Sequence, residues 1–505
     1  MSARRVRVCV PVCAKSFAEM EETCARARKF ADIIELRLDC VENSDLISVF
    51  ELLTRTREGH LIVTFRPAEQ GGYRVLGRPE REAYWVGIGT ASGTLCDIEA
   101  DLVVESPVFE STFDWTRVIV SHHDFSGVPD DLEELYERLA ATRARVVKIA
   151  VQANDVTDCI PIFDLLERAQ NEKRELIAIA MGNAGIATRI LGPSRGAYLT
   201  YGSLEDDSAT APGQVNARQM RSVYRIDEID RNTMICGLVG LPVMHSVSPH
   251  MHNAAFAAAG VNGVYLPLEV RDVGSFIRRM IHPQTRELDW NVRGLSITAP
   301  HKSSVMELLD WVHPEAREIG AVNTVMVEND QLLGYNTDAA GLIQPLKLRN
   351  QSVSRQRVAV IGAGGAARTA VWAMKLHGAE VTVFARDIEK AKPLTKSFDV
   401  PCEPLDGALF GDYSLVINTT PLGSGEFTHE TPVVAEQLAG AGLAYDLIYN
   451  PIETEFLKQA REAGCQTLGG LPMLVAQARL QFELWTGKTP SPSVMHDAAR
   501  AALGR

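Results

Sequence analysis

The chain has 505 residues, 46% of them hydrophobic and 23% charged, which is enough for two or three domains with full cores. Its net charge of −13 argues against general nucleic-acid binding, and no run approaches the roughly twenty apolar residues of a membrane helix. The expected partners are therefore small molecules, with no nucleic acid and no membrane.

Short apolar runs recur at 6–12, 32–39, 60–66, 95–104, 117–123, 146–151, 176–181 and 198–202. Amphipathic stretches of helical length, such as 131–142 and 159–171, lie between most of them. Strand and helix alternating eight times within about 220 residues predict a (β/α)8 TIM barrel over 1–222, with chemistry at the C-terminal strand ends. Odd polar residues stand there. Strand two ends Glu35-Leu36-Arg37-Leu38-Asp39, strand three ends Thr64-Phe65-Arg66, and strand five ends Ser121-His122-His123-Asp124-Phe125. Thr188-Arg189 follows strand seven, and Ala211-Pro212-Gly213-Gln214 follows strand eight.

Strand six carries Lys148 within Val146-Val147-Lys148-Ile149-Ala150-Val151. An isolated buried ammonium is costly, and a lysine kept in such a run offers an amine that desolvation readies for attack on a carbonyl. Alone, the residue reads better as a strand lysine facing solvent. An amine, an imidazole and several guanidiniums at one barrel mouth suit an anionic carbonyl substrate: arginines fork onto carboxylate and a histidine moves a proton. His122 and His123 are adjacent on a strand and face opposite sides, so no metal site is expected. Taken singly, Glu35 and Arg37 could be a barrel-bottom ion pair, Asp39 a helix cap and His123 a satisfied core histidine.

Glu-Leu-Arg at 35–37, Thr-Phe-Arg at 64–66, Ser-x-His-Asp-Phe at 121–125, Lys-Ile-Ala at 148–150, Thr-Arg at 188–189 and Ala-Pro-Gly-Gln at 211–214 resemble type I 3-dehydroquinate dehydratase. The resemblance implies Lys148 as Schiff-base lysine and His123 as general acid/base. It implies substrate contacts from Glu35, Arg37, Arg66, Arg189, Thr210 and Gln214, and loss of water from 3-dehydroquinate. Two positions depart from the family pattern. Gln70 stands where a glutamate that orients the histidine is usual, and Thr210 replaces a serine while keeping the hydroxyl.

From Met234 the pattern restarts, with strand-like runs at 234–240, 264–270, 294–298 and 324–328. The strand 357–361 then runs into Gly362-Ala363-Gly364-Gly365-Ala366 and an apolar helix. Glycines let backbone approach a pyrophosphate, and the helix N-terminus stabilises its charge. The next strand ends at Arg386-Asp387. Arg386 favours the 2′-phosphate of NADP, whereas Asp387 reads either as a ribose ligand or as the cap of the helix 388–396.

Ser-x-Ser-Pro-x-x-His-Asn at 246–253, Thr-x-Pro-x-Lys at 298–302, Ala-Val-Asn-Thr at 321–324, Asn-Thr-Asp at 336–338, the Asn418–Gly423 loop and Gln477-Ala478-Arg479-Leu480-Gln481 resemble shikimate dehydrogenase. The resemblance implies a two-lobed unit: a substrate lobe over 233–340, completed by 485–505, and a Rossmann NADP-binding lobe over 341–484. Lys302 and Asp338 are implied as the catalytic pair. Ser246, Ser248, Thr298, Asn323, Tyr449, Gln477 and Gln481 are implied as substrate contacts, and Gly362, Gly364, Gly365, Ala366, Arg386 and Thr419 as cofactor contacts. Quinate-preferring relatives carry glycine at the positions of Ser248 and Thr298, so shikimate is expected.

The two implied reactions are consecutive. The alternatives are an NAD-dependent quinate dehydrogenase and a catalytically dead metabolite sensor. A sensor needs binding groups but not Lys148, His123, Lys302 and Asp338 together. The halves join in the polar stretch 221–233 and are expected to pack together. Nine cysteines at irregular spacing, none in Cys-x-x-Cys, fit a reducing compartment, with Cys9 and Cys13 as strand-packing residues. Ala3-Arg4-Arg5 is too short for a leader, which reads as cytoplasmic; a plastid protein already trimmed reads the same.

Overall fold

A computed structural model describes residues 5–41, 60–88, 94–105, 113–205 and 213–504. Among these residues the first half contains eight parallel strands: β1 (Val8–Val12), β2 (Ile33–Arg37), β3 (Leu61–Thr64), β4 (Leu95–Glu99), β5 (Val118–Asp124), β6 (Val146–Gln152), β7 (Glu175–Met181) and β8 (Thr200–Tyr201). Their order is β7-β6-β5-β4-β3-β2-β1-β8, and a parallel bridge between Leu176 and Ala197 joins the two ends into a barrel. The expected fourth run is cut short: its strand stops at Glu99, and Ala100–Glu105 is helical.

Side-chain alternation decides where the chemistry sits. Ile33, Ile62, Leu95, Ile119, Val146, Ile177 and Leu199 form an apolar floor inside the barrel. Two residues further along, the same inward face of these strands presents Glu35, Thr64, Asp97, Ser121, Lys148 and Tyr201, because alternate residues share a face. The intervening residues, such as Ile34, Leu36, Val63, Val120, Val147 and Ala178, point outward into the core beneath the helices.

Cys13, just beyond β1, forms a disulfide with Cys40, just beyond β2. This corrects the packing role expected for Cys13. The expectation failed because the two strands are sheet neighbours, which no spacing of cysteines along the chain reveals. Cys9 is a buried packing residue.

The second half holds two sheets. The first comprises β9 (Met234–Gly240), β10 (Gly263–Glu269), β11 (Val292–Ile297), β12 (Trp311–Val312), β13 (Thr324–Glu328) and β14 (Gln331–Tyr335), in the order β10-β9-β11-β13-β14-β12. β13 and β14 form an antiparallel hairpin through Asn329 and Asp330, both at positive φ (49° and 59°). The sequence reading overlooked β14, although Asn-Asp is a recognisable primed-turn pair. The second sheet is wholly parallel: β15 (Arg357–Ile361), β16 (Glu380–Ala385), β17 (Cys402–Pro404), β18 (Leu415–Asn418), β19 (Leu443–Asp446) and β20 (Gln466–Leu468), in the order β17-β16-β15-β18-β19-β20. Strand order reverses between β15 and β18, the place where such sheets open a ligand crevice.

The chain returns to the first lobe earlier than residue 485. The helix Leu471–Thr486 packs Val475, Ala478, Phe482 and Trp485 into one cluster with Cys236, Leu238 and Tyr265. The last helix, Pro492–Leu503, adds Met495 and Ala499 to that cluster. Barrel and dehydrogenase halves are tied by Arg195 Nη2 to Asp289 O (2.9 Å), Arg225 Nη2 to Gly263 O (2.8 Å) and Arg271 N to Asp155 Oδ2 (2.6 Å). No helix among the described residues is long and apolar enough to cross a membrane.

Candidate active sites

The first site is the barrel mouth. Glu35, Arg37, Arg66, Gln70, His123, Lys148, Arg189, Tyr201 and Gln214 line one small cavity. Every residue expected at this site is therefore gathered here except Thr210, which lies outside the described residues.

Lys148 is buried and points inward, not to solvent. Its Nζ donates to Asp97 Oδ2 (2.7 Å), Tyr201 Oη (2.9 Å) and Glu35 Oε1 (3.3 Å). Two carboxylates offset the burial of the charge, which an isolated ammonium could not sustain. Glu35 is fixed by Thr64 Oγ1 at 2.8 Å. Asp97 also pairs with Arg66 Nη2 at 2.9 Å. Burial acts to raise the Asp97 pKa, but the Arg66 and Lys148 charges prevail and hold it well below the usual carboxylate range.

Arg37 pairs with Asp39, not with Glu35. The contact is bidentate, Nε to Oδ1 at 2.9 Å and Nη2 to Oδ2 at 2.8 Å. Asp39 also accepts from the backbone N–H groups of Arg66 (3.2 Å) and Tyr73 (3.3 Å). Among the described residues it therefore braces the Arg37 guanidinium and the Arg66 backbone, while the helix it was expected to cap lies outside the described residues. Arg189 is buried, and burial depresses its guanidinium pKa to about 10. A guanidinium in that setting gains from an anionic ligand.

Burial, reinforced by the nearby Arg66 and Lys148 charges, holds the His123 pKa well below its ordinary value. Among the described residues, His123 Nδ1 and Gln70 Oε1 have no hydrogen-bond partner. Gln70 thus does not supply the orienting contact that the family glutamate is expected to make.

The sequence reading missed Asp97, Glu99 and Tyr201. A signal for the acids existed: Asp97 and Glu99 alternate along one strand, like Glu35 and Arg37.

The second site is a cleft of about 700 Å3 lined by Ser246, Ser248, Thr298, Lys302, Asn323, Asp338, Tyr449, Gln477 and Gln481, all the expected catalytic and substrate-contact residues of this half. Lys302 Nζ lies 2.6 Å from Asp338 Oδ2. Asn323 Nδ2 donates to Asp338 Oδ1 (2.8 Å) and Thr337 Oγ1 (3.0 Å). Gln477 and Gln481, one helical turn apart, face inward. Gln477 Oε1 accepts from Asn323 Nδ2 at 3.3 Å, and Gln481 accepts from Ser296 Oγ at 2.8 Å while donating to Thr324 Oγ1 at 3.0 Å. Ser246 Oγ accepts the Ser248 N–H at 3.1 Å, so one of the two hydroxyls helps to form the helix start.

The glycine loop lies between β15 and the helix Gly365–Leu376. Gly362 sits at φ +120°, and a Cβ there would meet Thr419 Oγ1 at 2.5 Å. Thr419 Oγ1 donates to Ile361 O at 2.7 Å, so it locks this turn. A Cβ on Gly364 or Gly365 would meet nothing within 4 Å, which leaves open space over the helix N-terminus for a pyrophosphate. Arg386 is exposed at the end of β16, the strand beside β15. Asp387 caps the following helix through the Lys390 N–H at 3.1 Å, which accounts for its place in the sequence. The loop and Arg386 together fit an NADP-type dinucleotide. Among the described residues no group of histidine, cysteine or acidic side chains could hold a metal ion.

The family described as type I 3-dehydroquinase matches residues 8–231. The shikimate dehydrogenase substrate-binding domain matches 238–325, and the shikimate 5′-dehydrogenase C-terminal domain matches 470–500. The chain is 32% identical to the chloroplastic bifunctional 3-dehydroquinate dehydratase/shikimate dehydrogenase of Arabidopsis thaliana, over 97% of this chain and 83% of the relative. It is 40% identical to the NADP(+) shikimate dehydrogenase of Carboxydothermus hydrogenoformans, over 54% of this chain and 98% of that one. A solved shikimate dehydrogenase in complex with NADP+ aligns with a TM-score of 0.51 at 34% identity, covering 55% of this chain and 98% of its own. One relative spanning both halves, together with the two gathered sites, shows that the chain belongs to the bifunctional 3-dehydroquinate dehydratase/shikimate dehydrogenase family.

Proposed function

We propose that the barrel dehydrates 3-dehydroquinate to 3-dehydroshikimate and that the second half reduces this product to shikimate with NADPH. The observation that carries the reading is the pair of lysines, Lys148 and Lys302. Each is seated among the polar groups its reaction requires, in a separate cavity.

In the barrel, Lys148 attacks the substrate ketone and the resulting iminium acidifies the neighbouring carbon. His123 moves the proton from that carbon and delivers it to the departing hydroxyl. Arg66, Arg189 and Gln214 hold the substrate, with Glu35 and Arg37 beside the ketone and ring hydroxyls. Thr210 is proposed as a further hydroxyl contact.

In the second half, NADPH when bound supplies hydride to the ketone carbon. Lys302 is the proton donor to the ketone oxygen, and Asp338, held by Asn323, keeps the ammonium on target. Ser246, Ser248 and Tyr449 suit the carboxylate, while Thr298, Asn323, Gln477 and Gln481 suit the ring hydroxyls. The hydroxyls of Ser248 and Thr298 occupy room that the extra hydroxyl of quinate requires, which supports shikimate. Gly362, Gly364, Gly365 and Ala366 form the dinucleotide loop, Thr419 braces it, and Arg386 is proposed to bind the 2′-phosphate. The proposed compartment is the cytoplasm or a plastid interior; seven of the nine cysteines are free thiols.

The test is covalent trapping. Borohydride added with 3-dehydroquinate should leave a stable adduct whose mass maps to Lys148. An enzyme that turns substrate over without any trapped lysine would overturn the imine mechanism.

A further inference from the structure

The proposed mechanism leaves one contact of Lys148 without a task. Tyr201 Oη lies 2.9 Å from Lys148 Nζ and 3.3 Å from Glu35 Oε1, so the phenol bridges the reacting nitrogen and a carboxylate. We propose that Tyr201 is a catalytic residue of the dehydration, passing a proton between the Lys148 nitrogen and Glu35 as the imine forms and breaks.

An ammonium has no lone pair, so Lys148 must lose a proton before it attacks. The nearest carboxylate, Asp97, is committed to Arg66 at 2.9 Å as well as to Lys148, and is a weak proton acceptor. Among the described residues Glu35 is hydrogen-bonded by Thr64, Lys148 and Tyr201, and the charges of Arg66 and Arg37 act on it without a direct contact. The phenol is the neutral group that touches both ends. Its ring also lies against the ammonium, with Nζ 4.4 Å from the ring centroid.

Each relay step balances. The N–H bond breaks and its proton goes to Tyr201 Oη, while the Tyr201 O–H bond breaks and that proton goes to Glu35 Oε1. Ammonium and carboxylate become amine and carboxylic acid, and the phenol is restored. The amine lone pair then forms the N–C bond and the carbonyl π pair moves to oxygen. The borrowed proton and a second proton from nitrogen leave on that oxygen as water, as the nitrogen lone pair closes the iminium.

Tyr201 faces Glu35 on β2, Asp97 on β4, Lys148 on β6, Cys9 on β1 and Arg66 just beyond β3. Burial first, then the carboxylates of Glu35 and Asp97, push its phenol well above the ordinary range. Tyr201 therefore stays protonated and serves as a conduit, not as a phenolate base.

The inference rests on the dehydration reading above. The test compares Tyr201→Phe with the wild-type full chain in rapid-quench borohydride trapping with 3-dehydroquinate, with steady-state dehydration followed across pH. The expected result is imine formation slowed by about tenfold or more, a basic displacement of the rising limb of kcat, and KM changed by less than about threefold. Reduction of 3-dehydroshikimate by the same preparation should match wild type and reports an intact second half. Trapping at the wild-type rate with a superimposable pH profile would show that Tyr201 only fills space. Should the variant barrel misfold, a proton inventory on wild-type imine formation decides: a bowed plot fits two protons in flight, and a straight one overturns the relay. Absence of any wild-type adduct at Lys148 would instead overturn the dehydration reading itself.

Discussion

Lys302 Nζ sits 2.6 Å from one oxygen of Asp338, and Asn323 Nδ2 holds the other oxygen at 2.8 Å. The carboxylate is thus fixed at both ends, and the ammonium is aimed into the same cleft as Gln477 and Thr298. An acid positioned this way contributes about 10²- to 10⁴-fold to a proton-coupled hydride transfer. Lys302→Ala should therefore lower kcat for 3-dehydroshikimate reduction by about that factor while leaving dehydration at wild-type rate. Lys148→Ala should do the reverse. Measuring both activities on both variants checks this. Loss of both from either folded variant would break the two-site account.

Gln70 and His123 share the barrel cavity, and each leaves a buried polar atom without a partner among the described residues. A carboxylate at position 70 would favour the charged imidazole, opposing the burial that now depresses it. Gln70→Glu should therefore shift the acid limb of the dehydratase pH profile to higher pH. A profile identical to wild type would show that residue 70 does not address His123.

Much of this was legible in the sequence, because barrel strands announce themselves twice. Six of the eight begin with an inward apolar residue and become polar two places later, as Ile33 to Glu35 and Val146 to Lys148 do, whereas β1 and β7 do not. The strand ends could therefore be read in chain order, and the resemblance to known enzymes assigned them roles. Partners were not legible. Arg37 sits two residues from both Glu35 and Asp39, and only the bend after β2 decides that it binds Asp39. The Cys13–Cys40 bond joins the ends of two neighbouring strands and the bridge from Tyr201 to Lys148 joins two different strands, and a single sequence carries no signal of either. The early return of the chain at Leu471 was hidden because that helix is apolar on the faces it turns to both lobes.

Glu99 is buried near Arg66 and Arg81, at 3.7 and 3.6 Å. Burial, only partly offset by Arg66, raises its pKa from 4.5 to about 7. A carboxyl raised by folding contributes stability below its unfolded pKa, and that contribution is lost as pH rises through the folded value. Glu99→Gln mimics the protonated form. It should stabilise the barrel by ~1–3 kcal/mol at about pH 8 and by almost nothing at about pH 4. Denaturant midpoints at the two pH values check this. An equal shift at both would mean that Glu99 does not titrate as described.

Arg386 stands exposed beside the open space above Gly364 and Gly365. If it binds the 2′-phosphate, Arg386→Ala should raise KM for NADPH by about 10- to 100-fold, the range of a lost charge-assisted contact, and leave KM for NADH nearly unchanged. Equal losses with both cofactors would assign the 2′-phosphate to other residues.

The central claim is that one chain carries two consecutive reactions, and a single coupled assay tests it most directly. Purified protein receives 3-dehydroquinate and NADPH, and NADPH loss and shikimate are followed together. Shikimate should appear in step with NADPH consumption. Accumulation of 3-dehydroshikimate without NADPH loss, or no turnover of 3-dehydroquinate at all, would contradict it.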